Sequence, residues 1–116
     1  MRVLVCGGRD FNRPAQLTRA LDMLHKERKF THLIHGGAAG ADTLAGEWAR
    51  MKSEIESYVC HAEWEKYGKS AGYKRSARML EWKPDLVVAF PGGAGTKMMK
   101  RLAAEHGIEV IEIEDR

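Results

Sequence analysis

Three short apolar runs in this chain each end in a glycine-rich turn, and that repetition limits the folds open to it. Arg2–Cys6 (RVLVC) runs into Cys6-Gly7-Gly8-Arg9-Asp10. His32–His35 runs into HGGAAGAD (His35–Asp42), and Asp85–Phe90 (DLVVAF) into FPGGAGT (Phe90–Thr96). Short runs with β-branched residues, bounded by glycine, read as strands. Between them the spacing changes to a helical one. Pro14 suits a first helical turn, with Asn12 as N-cap, and Leu17, Ala20, Leu21 and Leu24 form one stripe. Ala41, Leu44, Ala45 and Trp48 form a second stripe, and Tyr73, Ala77 and Leu80 are expected to face inward from a helix over Ala71–Trp82. Lys83-Pro84 stops that helix. A last helix runs from Gly95 to His106, with Gly107 as its stop.

Two further strands, Glu54–Cys60 and Ile108–Ile113, complete an alternation of five strands and four helices. Alternation of this kind implies a mainly parallel sheet with helices on both faces. Strands buried on both faces read as unbroken apolar runs, as the first and fourth do. Glu54 and Glu56, and Glu109 and Glu112, mark the third and fifth as edges. The order 3-2-1-4-5 satisfies both conditions, and the fold is a Rossmann-like, doubly wound α/β sheet. The 116 residues suit one domain spanning 1–116, which at this size buries roughly 65% of its unfolded surface. With 44% hydrophobic and 30% charged residues the composition is globular rather than disordered. No apolar run approaches the ~20 residues of a membrane span, and the start MRVLVCGG is too short for a secretory leader. A cytoplasmic protein without membrane contact is expected.

In such a sheet all three glycine turns lie at the carboxyl edge, and the reversal of strand order between strands one and four opens a crevice there. Glycine lets main-chain amides approach an anion, and helix N-termini add positive partial charge. A phosphate-bearing ligand held by Gly7, Gly8, Gly36, Gly37, Gly40, Gly92, Gly93, Gly95 and Thr96 follows, with Arg9, Asp10 and Lys69 beside it. Arg9 can clamp a phosphate bidentately or form a surface ion pair. Asp10 can hold a ribose hydroxyl or a local turn. Thr96 can reach phosphate or cap the last helix. Trp64 and Tyr67 can stack on a base or pack as a lid. His35 and His61 end adjacent strands near the crevice, and Trp48 and Trp82 suit the core or a dimer surface.

Several ligand classes are disfavoured. A dinucleotide fingerprint needs G-x-G-x-x-G after the first strand and an acid closing the second, whereas the chain has Gly7-Gly8-Arg9 and His35. Gly68-Lys69-Ser70 resembles the end of a P-loop, but Glu63 stands where the first glycine belongs. Cys6 and Cys60 stand alone, without the partners of a zinc site, and one intervening strand keeps them about 10 Å apart, too far for a disulfide. Buried thiols are expected, and no metal or cofactor. The net charge of +3 is modest. Basic residues gather at Lys66, Lys69, Lys74, Arg75 and Arg78 and at Lys97, Lys100 and Arg101, as solvated helix faces or beside an anion site.

His35–Ala49 (HGGAAGADTLAGEWA), Ala62–Met79 (AEWEKYGKSAGYKRSARM) and Pro91–Thr96 (PGGAGT), in that order and with the GGRDF turn, resemble the YspA-type, cpYpsA-related branch of the SLOG superfamily. These are small Rossmann-like proteins related to the Lonely Guy phosphoribohydrolases and to the DNA-processing protein DprA. The resemblance covers essentially the whole chain. It implies a nucleotide or nucleotide-derived ligand, and it favours a homodimer. The Lonely Guy enzymes carry PGGxGTxxE, whose Glu helps cleave the bond between base and ribose 5′-phosphate. Here that position is Met99, while Arg75 matches their partner arginine and Ser76 stands where the YspA-type pattern usually has Asn. Cleavage needs a group that stabilises an oxocarbenium-like transition state and activates water. Asp42 is the best substitute, with Arg75 as its catalytic partner, ahead of Asp10 and Glu47; its other role is helix capping. Three functions follow: a sensor, carrier or sequestering module for a nucleotide derivative; an N-glycosidic hydrolase or transferase; and a DprA-like nucleic-acid binder using Lys66, Lys69, Lys74 and Arg78.

Overall fold

The computed structural model describes residues 1–114, the side chains of Trp64 and Lys69 excepted. Five parallel strands, β1 (Arg2–Cys6), β2 (His32–His35), β3 (Glu56–Val59), β4 (Leu86–Ala89) and β5 (Glu109–Glu112), form one sheet in the order β3-β2-β1-β4-β5. The polarity argument therefore holds. β4 is buried at every position, while β3 and β5, at the edges, hold only exposed and partly exposed residues.

Register fixes which side chains meet which helices. Val3 pairs with Leu33 and Leu86, and Leu4 with Ile34 and Val87. Because successive strand residues face opposite ways, these rows feed two cores. Val3, Val5, Leu33, Leu86 and Val88 pack under α1 (Pro14–Arg28) and α2 (Ala41–Arg50), through Leu17, Leu21, Ala45 and Trp48. Leu4, Ile34 and Val87 pack under α4 (Ala71–Glu81) and α5 (Ala94–Glu105), through Met79, Leu80, Leu102 and Ala103. Helices on both faces make the sheet doubly wound. A short helix α3 (Trp64–Tyr67) and one 3-10 turn (Gly68–Ser70) occupy the connection before α4.

Four local expectations need correction. The residue capping α1 is Arg13, not Asn12, and it makes no side-chain capping bond; Pro14 in the first turn has no N–H to satisfy. The third strand is shorter than Glu54–Cys60, since Ile55 turns into the core before pairing begins at Glu56. Tyr73 is 51% exposed and Ala77 half-buried, whereas Ser76, Met79 and Leu80 are buried. α4 is thus rotated relative to its simplest apolar stripe. Cys6 and Cys60 are free thiols, as expected, but only half-buried.

Candidate functional site

One residue ties the three glycine turns together. The Gly8 N–H donates to the Pro91 carbonyl (2.8 Å), joining the first turn to the third. The Gly8 carbonyl accepts from Ala41 N–H (3.2 Å), joining the first turn to the second, and from Phe11 N–H (3.2 Å). Gly40 makes this approach possible. Its φ is +81°, and a Cβ there would lie 2.2 Å from the Gly8 carbonyl oxygen. Only glycine fits such a position.

Around this junction lies a cleft of about 730 Å³, lined by all three turns and by one stripe of α4. Its volume falls in the range of small-molecule sites, roughly 300–1,000 Å³. The first turn contributes Gly7, Gly8, Arg9 and Asp10; the second Gly36, Ala38 and Asp42; the third Pro91 to Thr96. Gly72, Arg75, Ser76 and Met79 of α4 complete one wall, and Cys6, Phe11, Met98 and Met99 supply apolar surface. Gly37 and Gly40 are not part of the lining; they shape the second turn from behind. Lys69 has a side chain outside the described residues.

The third turn presents amides. α5 starts at Ala94 with Gly93 as N-cap, no capping side chain and no acid in its first turn. The positive end of a twelve-residue helix therefore opens on the cleft without a compensating charge. Thr96 is 6% exposed, and its hydroxyl has no hydrogen-bond partner among the described residues.

The second turn is held from inside by Asp42. Its Oδ2 accepts Gly36 N–H (3.1 Å) and Ala38 N–H (3.2 Å). These are amides of the turn, not of α2 itself, so Asp42 ties down the turn and is not a helix cap. Burial pushes its carboxyl above the ordinary value; the Ala38 amide, Arg75, the Gly36 amide and Arg9 oppose that rise. Oδ1 accepts no hydrogen bond from the described residues. Arg75 donates from Nη1 to the Gly36 carbonyl (3.2 Å), the one hydrogen bond of its guanidinium among those residues. Arg9 and Asp10, exposed at the rim, have none there.

His35 closes β2 with its ring 4% exposed, Nδ1 accepting Gly37 N–H (3.0 Å). It lies outside the cleft lining, as does His61. Cys6 lines the cleft, but burial, reinforced by Asp42, pushes its thiol up to about 12, so it is a wall and not a nucleophile. Of the cations assigned to a nucleic-acid face, Arg78 is held by the His61 carbonyl (2.8 Å) and Glu63 (3.4 Å). Lys66 and Lys74 lie over the Tyr67 ring, at 5.1 and 4.6 Å from its centroid.

Gly72, Ser76 and Met79 join the site although nothing in the glycine turns points to them. The signal was there: with Arg75 they run i, i+3, i+4, i+7, so an inward Arg75 brings the other three with it.

A doubly wound parallel sheet with a glycine-lined crevice between β1 and β4 defines a Rossmann-like α/β protein. Within that class the chain belongs to the YspA, cpYpsA-related SLOG family, whose model matches residues 1–67. That match includes the first two glycine turns and ends before Arg75 and the third. The chain is also 37% identical over 122 residues to the Gene 61 protein of Mycobacterium phage D29, across 99% of this chain and 98% of that protein. No solved structure matches it. Among the described residues no helix is long and apolar enough to cross a membrane.

Proposed function

We propose that this protein binds a nucleotide or nucleotide-derived ligand, seating its phosphate on the Gly92–Thr96 turn and the start of α5, as a sensor, carrier or sequestering module. The observation that carries this reading is the Gly8 junction, which holds three glycine turns around one cleft. Membership of the SLOG family supports a nucleotide-related ligand. Phosphate oxygens would take the free α5 amides and the Thr96 hydroxyl, and the Arg75 and Arg9 guanidinium groups would neutralise their charge. Met79, Met98 and Met99 offer polarizable apolar contact to a planar base.

A thermal-shift screen with nucleoside mono- and diphosphates, ADP-ribose and NAD tests it. A ligand at 100 times its Kd raises stability by about 2.7 kcal/mol. Arg75→Ala is expected to remove the shift and leave the unliganded melting temperature within a few degrees of wild type. An undiminished shift in that variant refutes the clamp.

A second reading, hydrolysis or transfer at a nucleotide N-glycosidic bond, is supported by Asp42, which lines the cleft with Arg75 and whose Oδ1 accepts no hydrogen bond from the described residues. With Met99 in place of the glutamate of the Lonely Guy enzymes, Asp42 is the carboxylate left to steady the developing sugar cation and orient water. Chromatography for free base after incubation with nucleoside monophosphates separates the two. Release that disappears in Asp42→Asn identifies an enzyme; binding without release identifies the module. A homodimer in the cytoplasm suits either reading, and size-exclusion chromatography with light scattering tests the dimer.

A further inference from the structure

His35 does more than fill space behind the cleft. Its ring is turned beneath α2, and Nε2 is buried with no partner among the described residues. That nitrogen faces the Cα of Gly46, where a Cβ would lie 2.7 Å away. Nδ1 accepts the Gly37 N–H at 3.0 Å, so it must carry a lone pair, and the neutral ring holds its proton on Nε2. Leucine would fit this apolar setting without stranding a buried N–H; what histidine supplies that leucine lacks is the acceptor for Gly37.

The turn that this acceptor fixes is the one that builds the cleft's second wall. Gly36 and Ala38 amides meet Asp42, and the Gly36 carbonyl meets Arg75. We propose that His35 is a proton-sensitive brace: when its ring is protonated the Gly37 bond is lost, the Gly36–Ala38 turn loosens, and the cleft loses its hold on an anion. A protonated Nδ1 is a donor facing a donor, so the contact becomes repulsive. Among the described residues no counter-charge is at hand. The groups facing the ring are Arg50 of α2 and His61 beyond β3, both of which disfavour a second positive charge, as burial does more strongly. On the same turn, the Asp42 carboxylate already holds two amides and faces Arg75. By linkage, an anion that needs the ordered turn lowers the proton affinity of His35.

The coupling to ligand rests on the reading of the cleft as an anion site; the coupling of ring to turn does not. Sulfate is a suitable probe because it keeps its charge between pH 5 and 8. In the wild-type protein, an NMR titration over that range is expected to find the ring neutral with its proton on Nε2 at pH 7.5. The Gly36, Gly37 and Ala38 amides should shift with the same midpoint as the ring, below 6.5. Sulfate affinity should fall at least threefold from pH 7.5 to 5. His35→Asn, whose Oδ1 can replace Nδ1 as acceptor without titrating, should keep its affinity across that range. A ring protonated on Nδ1 at pH 7.5, or turn amides indifferent to its titration, overturns the brace, and so does an equal loss of affinity in the Asn variant. Absence of sulfate binding at pH 7.5 overturns the anion-site reading and the ligand coupling, while the ring and amide titration still decides the brace by itself.

Discussion

Two glycines three residues apart in one turn should respond oppositely to the same substitution. At Gly92 a Cβ would lie 2.2 Å from Thr96 Oγ1 and 2.6 Å from the Gly8 nitrogen. The second contact is with main chain at the junction of the turns and cannot be relieved by rotating a side chain. Overpacking of this kind costs about 2–3 kcal/mol. At Gly95, in the first turn of α5, a Cβ meets nothing within 4 Å. Alanine there restricts the unfolded chain and favours the helix, which is worth about 0.5 kcal/mol. Unfolding entropy of about 2.1 cal/mol/K per residue gives ~0.24 kcal/mol/K over the 116 residues. Gly92→Ala should therefore melt roughly 8–12 °C below wild type, and Gly95→Ala about 2 °C above it. Yet Gly95 lines the cleft, and its added methyl would stand where phosphate is to approach the amides. Thermal unfolding with and without the best nucleotide from the screen measures both effects. A Gly95→Ala protein that is stabilised but blind to ligand means that this glycine is kept for binding. Retention of the full ligand shift would refute the phosphate's position on α5, and a melting temperature several degrees lower would refute the open space around Gly95.

Asp42→Asn can keep both turn amides on one oxygen, so the variant should be at least as stable as wild type at pH 7. Because the folded carboxyl titrates above its ordinary 3.8, the folded state holds the proton more tightly. Asp42's contribution is then most favourable below 3.8 and is lost as pH rises through the folded value. The advantage of the Asn variant should accordingly grow with pH from about 4 upward in paired denaturant curves, and a variant less stable by over about 1 kcal/mol at pH 7 would contradict it. Cys6, with its thiol at about 12, should resist iodoacetamide in the native protein at pH 8 and react once the chain is unfolded. Rapid native labelling of Cys6, mapped by mass spectrometry, would show the cleft floor to be more open than described.

Much of the architecture was legible because it depends on features a sequence displays directly. Unbroken apolarity at Leu86–Ala89 and interruption by Glu56 and Glu109 are enough to order the sheet. The glycine turns had to converge once the strands were parallel. Legibility failed where one residue serves two neighbours. Gly37 and Gly40 read as ligand contacts from composition alone, but their positive φ values serve the path of the turn behind the cleft. The difference between a glycine that yields room to a ligand and one that yields room to the chain lies in what stands opposite its Cα, and no local pattern carries that.

The misplaced face of α4 shows the same limit and explains the site's asymmetry. Choosing Tyr73, Ala77 and Leu80 as the inward stripe assumes that whatever faces the protein is apolar. Along α4 that assumption fails where the helix wall rises past the sheet and borders the cleft, and there the inward residues are Gly72, Arg75 and Ser76. Lower down the same stripe, Met79 returns to the apolar core with Leu80 beside it. Hydrophobic periodicity identifies the buried half of such a helix; the half that carries chemistry is polar by necessity, and a rule that expels polar residues turns it outward. A single anchored side chain resolves the ambiguity. The Arg75 bond to Gly36 fixes the helix's rotation, and with it the placement of a buried serine whose hydroxyl has no partner among the described residues. Ser76 therefore stands beside Arg75 on the stripe of α4 that lines the cleft.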